Sequence, residues 1–582
     1  MLKSDLRAAA KNAAAPDSNA SRGSKPGGLV EAGFLRPRDG DVHGEPAPEA
    51  TQAPSPSSPA SLPAARLPAA VGSSPAEIEL KLLVDAERMA DISAAPVIAA
   101  NARNLGTRRH LKSVYYDTPE RLLRRNGLSL RVRQSGARVV QTVKTEAVGD
   151  PLRRGEWEAA LPSPVPDLAL ALPLLPEKLR GQLATRPLEQ VFAADVHRHT
   201  RLLDVPSGTV EIAFDQGVLT AGDRTMAVSE IELELKSGSP SAIWEIALRL
   251  AEHGPVMPSI RSKSARGFDL AADKAPSAPR PRKLSLAPAV TLDEAIASIL
   301  RACFHHLLQS LPAAADGRDP EGVHQLRVAL RRLRSALDLM RSLASPNNLD
   351  TLRSEARWLA HDLSPARDWD VFKLETLPEI AGACPAVAGF GALEQAAAAR
   401  KADAYRKAQQ ALADRRCAVF LLGLGAWIEA RGWRNDLAAE DLGRLAEPAV
   451  VFARSILARQ YAKVLKRGRR FKSLPPDDLH RVRLATKRLR YLGEFLLPLF
   501  DDRKTTRKFS RRLADLQEKL GTFNDMAITG ALLGGLAAEP ESAVAAAAVA
   551  GWQAHAAIGV QPSLHGAWRK FVETPAPWSM QG

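Results

Sequence analysis

The sequence predicts an α+β multidomain protein: an eight-stranded antiparallel β tunnel, followed by an all-α pair of helical bundles with pseudo-twofold symmetry. Three observations lead to this prediction. Short segments in the first part alternate charged and apolar residues with a period of two, as β-strands do. Strand signals disappear after about residue 290, where long runs rich in Ala, Leu and Arg have helical period. A basic helical pattern then occurs twice.

Composition divides the chain into four segments. Residues 1–75 are rich in Pro, Ala, Ser and Gly without hydrophobic periodicity, which is typical of a disordered tail. Residues 76–272 contain the β signals, and the Pro-rich residues 275–282 indicate a linker over 273–289. The helical part covers 290–570. Predicted strands lie at 77–84, 111–117, 128–134, 138–146, 154–161, 196–205, 209–221 and 224–236, with helical patterns near 86–102 and 240–253.

Charge and cysteine content restrict the partners and the compartment. The net charge of +15 and the pI near 9.8 favour an anionic partner, either nucleic acid, an anionic membrane surface or a phosphate compound. Three widely spaced cysteines imply neither a disulfide framework nor a thiolate zinc site. The N-terminus lacks an apolar signal-peptide core, and the uncharged stretch 542–568 is interrupted by polar residues. We therefore expect a cytoplasmic protein.

Charged residues share one face of strand after strand. In the first strand Glu77, Glu79 and Lys81 point one way, and the apolar residues between them point the other. The same alternation groups charged residues on later strands, namely Arg131 with Arg133, Glu156 with Glu158, Glu211 with Asp215, and Glu230 with Glu232 and Glu234. One such pair is typical of a solvated sheet face. Recurrence on five strands favours a barrel whose charged faces line a lumen and whose apolar outside is covered by helices.

A lumen of this kind suits a complex of a metal ion with a polyphosphate. Carboxylate oxygens bind hard divalent cations such as Mg²⁺ and Mn²⁺, which bridge to phosphate oxygens. Arginine offers phosphate a planar fork and lysine a point charge. Together they would neutralise the charge that develops on a leaving phosphate.

Residues 77–272 resemble the CYTH family, also called triphosphate tunnel metalloenzymes. The opening Glu77-x-Glu79-x-Lys81 is similar to the family's signature. Five later motifs follow in the family's order: Tyr115-Tyr-Asp-Thr-Pro119, Leu130-Arg-Val-Arg133, Thr142-Val-Lys144, Glu230-x-Glu232-x-Glu234 and Ser262-Lys-Ser-Ala-Arg-Gly267. The resemblance implies a tunnel that binds triphosphate and hydrolyses its terminal phosphoanhydride with Mg²⁺ or Mn²⁺.

The resemblance also implies roles, carried over by position. The implied metal ligands are Glu77, Glu79, Glu230, Glu232 and Glu234. The implied phosphate ligands are Lys81, Arg131, Arg133, Lys144 and Lys263. Arg198 and Arg201 both lie where the family has a phosphate-binding arginine, and because their strand parity is opposite the choice stays open. The candidate catalytic residues are Lys81, which would polarise the attacked phosphorus or its water, and Glu158 and Asp215. Glu158 and Asp215, with Glu156 and Glu230, are candidates either for positioning water or for supporting the metal.

The helical part contains an internal repeat. The segment from His324 to Arg334 recurs, 156 residues later, from His480 to Arg490. Each copy places four basic residues at i, i+3, i+7 and i+10 on one helical face, namely His324, Arg327, Arg331 and Arg334, and then His480, Arg483, Lys487 and Arg490. Like charges at this spacing repel one another, so their repetition indicates an anionic ligand rather than a solvated surface.

Residues 288–570 resemble the CHAD family, the conserved-histidine α-helical domains. The resemblance implies two helical bundles with a basic cleft that binds inorganic polyphosphate. CHAD domains usually accompany CYTH domains, so the two resemblances support each other. Arg332 and Arg488 lie on another side of their helices, where a surface role is expected, and the adjacent His305 and His306 favour core or surface roles over metal binding.

These features favour a metal-dependent inorganic triphosphatase with a module for long-chain polyphosphate. A tunnel enzyme for thiamine triphosphate or nucleoside triphosphates, including ATP cyclisation, stays open, although no base-recognition motif is readable. A non-enzymatic polyphosphate-binding protein, associated with polyphosphate granules, is a third hypothesis. Nucleic acid is not expected, because aromatic residues make up 5% of the chain and no stacking platform is readable. No membrane partner is expected.

Overall fold

The structure is a computed structural model that describes residues 77–145, 153–175, 177–287, 289–341, 343, 347–536 and 540–579. The predicted tail at 1–75 lies outside the described residues. All described strands occur before residue 260, and from Leu292 onward every described regular element is a helix.

The first part is built on ten strands, all paired antiparallel to their neighbours. Nine of them form one continuous path in the order β10-β1-β9-β8-β7-β2-β3-β4-β6. The strands are β1 (Glu77–Val84), β2 (Thr107–Asp117), β3 (Leu128–Ser135), β4 (Arg138–Thr145), β5 (Arg153–Arg154), β6 (Glu156–Leu161), β7 (Glu189–Val205), β8 (Gly208–Ala221), β9 (Arg224–Gly238) and β10 (Val256–Ser259).

The sheet is not closed along this path, which corrects the predicted eight-stranded closed tunnel. The path ends at β10 and β6. Off the path, the two-residue strand β5 pairs with the first two residues of β1, and Gly155 alone separates β5 from β6. Within the described chain, the pairing of β5 with β1 is the contact between the β6 end of the path and strand β1. Strand β10 was not predicted, because Val256-Met-Pro-Ser259 is short, contains proline and does not alternate.

Short helices connect and cover these strands. They are α1 (Met89–Ser93), α2 (Pro96–Asn101), α3 (Leu122–Arg125), α4 (Leu168–Ala171), α5 (Glu177–Leu183), α6 (Ser241–Leu250) and α7 (Lys263–Ala271), with 3₁₀ turns at Ala86–Arg88 and Leu172–Leu174. Ser262 caps the N-terminus of α7, because its side chain accepts a hydrogen bond from the Ala265 amide.

The predicted helical cover over the apolar outside of the sheet is present. Leu80, Ile231 and Leu233 are fully or almost fully buried in one core that continues into the helical part. Trp244 of α6 lies at the join, with its ring centroid 6.0 Å from that of Phe304. The apolar faces of the strands therefore support the sheet from outside, which leaves their charged faces to the concave side.

The second part consists of twelve described α-helices. They are α8 (Leu292–Asp316), α9 (Pro320–Met340), α10 (Asn347–Asp362), α11 (Ser364–Val371), α12 (Leu377–Ala383), α13 (Phe390–Ala413), α14 (Arg415–Glu429), α15 (Ala439–Leu445), α16 (Ala449–Arg467), α17 (Pro476–Leu496), α18 (Arg503–Gly534) and α19 (Ala543–Val572). Short turns lie at Phe372–Thr376 (π) and at Gly432–Asp436, Phe471–Ser473 and Leu497–Leu499 (3₁₀).

The two copies of the sequence repeat have the same local structure. Helices α9 and α17 are each 21 residues long, and each begins with a proline. The chain segments that lead into the two halves also meet, because Thr291 and Pro448 form an antiparallel bridge. The repeat thus pairs two equivalent helices across the helical part.

One described helix, α19, is long and apolar enough to cross a membrane by length and composition. Only 17% of its most apolar window is buried. The end of the helix packs by Phe571 against Tyr461 and Phe509, which belong to α16 and α18. A single helix of this kind is weak support for a membrane span.

Candidate active site

A cavity of about 1050 Å³ lies on the concave, charged side of the sheet. Strands β1 to β4 and β6 to β9 line it, together with the start of α7. The segment between the two parts also contributes, through Arg282, and the helical part contributes His305 and Gln309 of α8. The cavity is therefore enclosed by both folded parts of the chain.

Three carboxylates meet behind one wall of this cavity. Asp215, Glu230 and Glu232 each offer an oxygen, and these atoms lie within 4.8 Å of one another. Asp215 and Glu230 are fully buried. Glu232 lines the cavity itself. Alternation along β8 and β9 brings these residues together, because Asp215 lies directly opposite Glu230 in the register.

Cations hold these carboxylates in place. The Lys263 ammonium lies 2.6 Å from the Asp215 carboxylate and 3.1 Å from Glu232, and it also pairs with Glu230. Arg198 donates two hydrogen bonds to Asp215, at 2.7 and 2.6 Å, and pairs with Glu232. The Lys81 ammonium pairs with Glu232 at 2.5 Å. Glu230 and Glu232, two predicted metal ligands, thus form one network of opposite charges with the predicted phosphate ligands Lys81, Arg198 and Lys263.

Opposite charges outweigh burial at Glu232 and at Arg198. Burial raises the pKa of Glu232, but Lys263, Lys81 and Arg198 overcome this effect and hold that pKa well below its usual value. Burial likewise lowers the pKa of Arg198, while Glu232 and Asp215 raise it well above the ordinary range. Glu232 and Arg198 therefore remain charged near neutral pH.

A second group of charges lies on β3, β4 and β6. Arg131 donates a hydrogen bond to the Thr142 hydroxyl at 2.9 Å, and its guanidinium lies 3.5 Å from Glu156 and 3.6 Å from Glu158. The Thr142 hydroxyl in turn donates to Glu158 at 3.2 Å. Lys144 pairs with Glu156. Glu158 lines the cavity with its side chain 47% exposed, so water can reach its carboxylate.

Arg133 differs from the other cations on the strands that line the cavity. It forms no ion pair among the described residues, and its guanidinium donates one long hydrogen bond, 3.4 Å, to the Ser113 hydroxyl. Burial, with the nearby charges of Arg131 and Arg198, lowers the pKa of Arg133 to about 10. A half-buried cation among other cations is stabilised by an anion, and the cavity gives an anion access to it.

The structure separates Arg198 from Arg201, which the sequence left open. Arg198 lines the cavity, whereas Arg201 does not. Arg201 lies on the opposite face of β7, with its Nε 3.5 Å from the His199 ring. Side chains alternate faces along β7, so Arg201 points outward because Arg198 points into the cavity.

Carboxylates that suit a divalent cation surround the inner charges. Glu79, Glu232 and Glu234 line the cavity, and Glu79 lies directly opposite Glu234 in the register of β1 and β9. Carboxylate oxygen is the ligand that Mg²⁺ and Mn²⁺ prefer. Glu77 lies in β1 opposite Arg154. The side chain of Glu77 lies outside the described part of the structure.

Two arginines that the sequence analysis did not assign belong to this site. Arg266 pairs with the buried Glu230. It follows Lys263 by three residues on α7, so helical spacing within the quoted motif could have identified it. Arg261 lines the cavity and pairs with Asp269, and nothing in its local sequence indicated this position.

The repeated helices bring part of their basic faces together. The Arg331 guanidinium of α9 lies 5.3 Å from the ring centroid of Tyr491 on α17. The Nε atoms of Arg331 and Arg483 are buried without a hydrogen-bond acceptor among the described residues. Burial, with the charges of Arg483 and Arg331, lowers the pKa of Lys487 to about 8. This central group is called the basic cleft, and it consists of Arg327, Arg331, Arg483 and Lys487.

Two aspartates lie within reach of the basic cleft. Burial lowers the pKa of Arg327 and of Arg483, while Asp368 raises the first and Asp525 the second. Burial raises the pKa of Asp368 itself, although Arg327 opposes this effect. Burial and repulsion between cations therefore lower the pKa values of Arg327 and Arg483 more than the two carboxylates raise them.

The other predicted basic residues lie away from the centre of the cleft or at its margin. Burial and Arg367 lower the pKa of His324, which lies at the margin. The guanidinium of Arg334 is close to Arg357 instead. Arg490 is exposed and donates to Gln517 at 3.0 Å, and His480 is exposed. Arg332 is buried and pairs with Glu494 at 2.7 Å, so the surface role expected for it is wrong. His306 is buried beside Gln325.

Two family models match this chain. The CYTH domain model matches residues 75–268, and the CHAD domain model matches residues 298–534. The chain carries a CYTH domain followed by a CHAD domain. The matched ranges contain the cavity strands and the two repeated basic helices, respectively.

Individual relatives resemble parts of the chain. An inorganic triphosphatase of Haemophilus influenzae is 30% identical over 197 residues, which are 33% of this chain and 54% of that protein. The chain thus spans about half the length of this relative. An uncharacterized protein of Mycobacterium tuberculosis is 26% identical over 409 residues, 66% of this chain and 75% of that protein. The crystal structure of the CHAD domain from the plant Ricinus communis has 34% identity and a TM-score of 0.45, covering 52% of this chain and 98% of that one.

Proposed function

We propose that this protein is a metal-dependent hydrolase of inorganic triphosphate. The observation that carries the proposal is the cavity of the CYTH domain, in which Arg131, Arg133, Arg198 and Lys81 face carboxylates across a space of about 1050 Å³. The arrangement matches the charge of a triphosphate together with a divalent cation. The triphosphatase relative supports the same reaction class over the CYTH part of the chain.

The cavity cations bind and orient the substrate in this proposal. Arg131 and Arg133 present guanidinium groups, and Arg198 and Lys263 are held by Asp215 at fixed positions beside them. Asp215 and Glu230 therefore act as positioning residues rather than as ligands of the substrate, because they are fully buried behind these cations. Lys81 lies on the inner side of the cavity, where it neutralises charge on the attacked phosphoryl group.

Glu79, Glu232 and Glu234 would hold the divalent cation, Mg²⁺ or Mn²⁺. When bound, such an ion supplies Lewis-acid neutralisation of phosphate charge. Glu158 positions the attacking water, because its carboxylate is accessible from the cavity and is oriented by the Thr142 hydroxyl at 3.2 Å.

Phosphate release from tripolyphosphate tests this proposal. We expect the purified chain to release phosphate with Mg²⁺ or Mn²⁺, and Lys81→Ala to lower kcat/KM by at least about 100-fold. Arg201→Met, on the outer face of the same sheet, should retain the parent activity. No release from tripolyphosphate by the folded parent, with activity on thiamine triphosphate, ATP or no triphosphate at all, would contradict the proposal.

We propose further that the basic cleft of the CHAD domain binds long-chain inorganic polyphosphate in the cytoplasm, where it can place the protein on polyphosphate granules. The supporting observation is the group of four cations in the cleft, of which Arg483 is buried and the other three are half-buried. Two of the four have guanidinium Nε atoms without an acceptor in the described chain. A polyanion supplies the missing acceptors and relieves the repulsion between these charges.

A binding titration with fluorescently labelled polyphosphate tests the cleft. The double variant Arg331→Ala and Lys487→Ala should weaken binding by at least about tenfold, since each lost charge-assisted hydrogen bond is worth about 1.5–3 kcal/mol. Arg481→Ala is the matched control, because Arg481 is exposed on the same helix and pairs with Asp478 at 2.8 Å. Equal weakening by the control would show non-specific attraction to the basic chain.

A further inference from the structure

A cluster of three metal-ligating side chains lies on the outer face of the CYTH sheet, away from the cavity. Arg198 of β7 points into the cavity, so Asp195 and His197, with odd numbers, point outward on the same strand. His110 of β2 lies directly opposite His197 in the strand register. Two neighbouring strands thus bring two imidazoles and a carboxylate to one outward-facing patch.

The three side chains are already close together. The His110 and His197 rings stack with their centroids 4.4 Å apart and their planes 6° from parallel. The Asp195 carboxylate contacts the Nε2 atom of the His110 ring. One ligand atom from each residue lies within 4.8 Å of the other two. Small side-chain rotations would bring all three onto one ion, because the backbone positions are fixed by continuous strand pairing.

We propose that His110, Asp195 and His197 form a binding site for a borderline divalent ion, with Zn²⁺ as the preferred occupant. Imidazole nitrogen together with one carboxylate oxygen suits Zn²⁺, whereas Mg²⁺ prefers oxygen alone. Three protein ligands leave a fourth tetrahedral position for water. The His110 and Asp195 side chains are 42% and 47% exposed, so the ion has access from solvent.

Neighbouring charges select the same class of ion. Lys112 lies opposite Asp195, and Arg108 lies opposite His199. These cations repel any divalent ion, so the site holds only ions that form strong bonds to imidazole nitrogen. His199 follows on the same outward face but contacts the Leu105 carbonyl oxygen at 3.2 Å, which places it outside the ligand set.

Calorimetric titration of the full chain with Zn²⁺ tests the site. Millimolar Mg²⁺ is present throughout, so that the oxygen ligands of the cavity are occupied. We expect the parent to bind one more Zn²⁺ than the double variant His110→Ala and His197→Ala does. The single variants His110→Gln and His197→Gln should each bind this ion at least about tenfold more weakly.

His199→Ala is the matched control, since it removes a histidine from the same face of the same strand. It should bind Zn²⁺ as the parent does. Zn²⁺ should also raise the melting temperature of the parent and of His199→Ala, but not that of the double variant, because the ion links β2 to β7. Equal Zn²⁺ stoichiometry in the parent and the double variant, or equal weakening by His199→Ala, would overturn the proposal. The experiment needs no triphosphatase activity, so it does not depend on the proposed function.

Discussion

We expect the charge of Arg133 to destabilise the fold when no ligand is bound and to strengthen substrate binding. Replacing Arg133 by methionine tests both effects separately. Burial, with the charges of Arg131 and Arg198, lowers the pKa of Arg133 from its ordinary value to about 10. At 1.36 kcal/mol for each pKa unit, the charged form is destabilised by about 3 kcal/mol in the folded protein. Because pH 7 lies below both the folded and the unfolded pKa, this penalty is fully present there and is relieved only above pH 10. Methionine keeps an unbranched apolar stem and removes the charge.

We therefore expect Arg133→Met to raise the free energy of unfolding by up to about 3 kcal/mol. The same variant should lower kcat/KM for tripolyphosphate by about 10- to 100-fold, since a charge-assisted hydrogen bond contributes about 1.5–3 kcal/mol. Urea denaturation without substrate measures the first effect, and phosphate release measures the second.

Arg201→Met provides the control for both effects, because Arg201 lies on the opposite face of the sheet and does not line the cavity. It should change neither quantity by a comparable amount. The reasoning is refuted if Arg133→Met is no more stable than the parent, or if its activity loss is matched by that of Arg201→Met.

Three further predictions concern the cleft, the join between domains and the metal ligands. Polyphosphate affinity should fall above pH 8, since burial and nearby arginines lower the pKa of Lys487 to about 8 and the anion needs the protonated form; Lys487→Arg should flatten this pH profile in a binding titration. A Cβ on Gly425 would lie 2.2 Å from the Trp244 ring, so Gly425→Ala should lower the free energy of unfolding, measured in urea, by about 1–3 kcal/mol. Gly423→Ala is the control: a Cβ there meets no atom of another element within 4 Å, so the free energy of unfolding should rise by up to about 1 kcal/mol. Glu232→Gln should raise the Mg²⁺ concentration for half-maximal phosphate release by at least about tenfold without weakening polyphosphate binding.

Alternation along the strands was sufficient to predict much of the cavity. The residues at Glu79, Arg131, Glu232 and Lys144 all line it, because a period of two fixes the face of each side chain once one face is apolar. Closure was not predictable in the same way. It depends on whether the short β5 and β10 pair with β1, and neither has enough residues to show alternation.

The sequence also could not predict which residues of the charged face are fully buried. Parity places Asp215 and Glu230 on the charged face together with Glu232, but only the packing of α7 against the sheet shows that these two lie behind Lys263. The sequence therefore suggested a water-positioning role for Asp215 and a metal role for Glu230, where the geometry favours the positioning of cations.

The difference between periodicity and packing also explains which residues form the basic cleft and which residue of the helical part lines the cavity. Helical spacing predicted eight basic residues on two equivalent faces, yet a helical face spans a wide arc and only part of it faces the partner helix. Arg331 and Arg483 have buried Nε atoms, whereas Arg490 is exposed and turns to Gln517. The cavity is likewise lined by His305 of the helical part, which no local pattern could connect to β-strands much earlier in the chain. Periodicity assigns a residue to a face, but only the packing of one face on another decides which of its members meet a ligand.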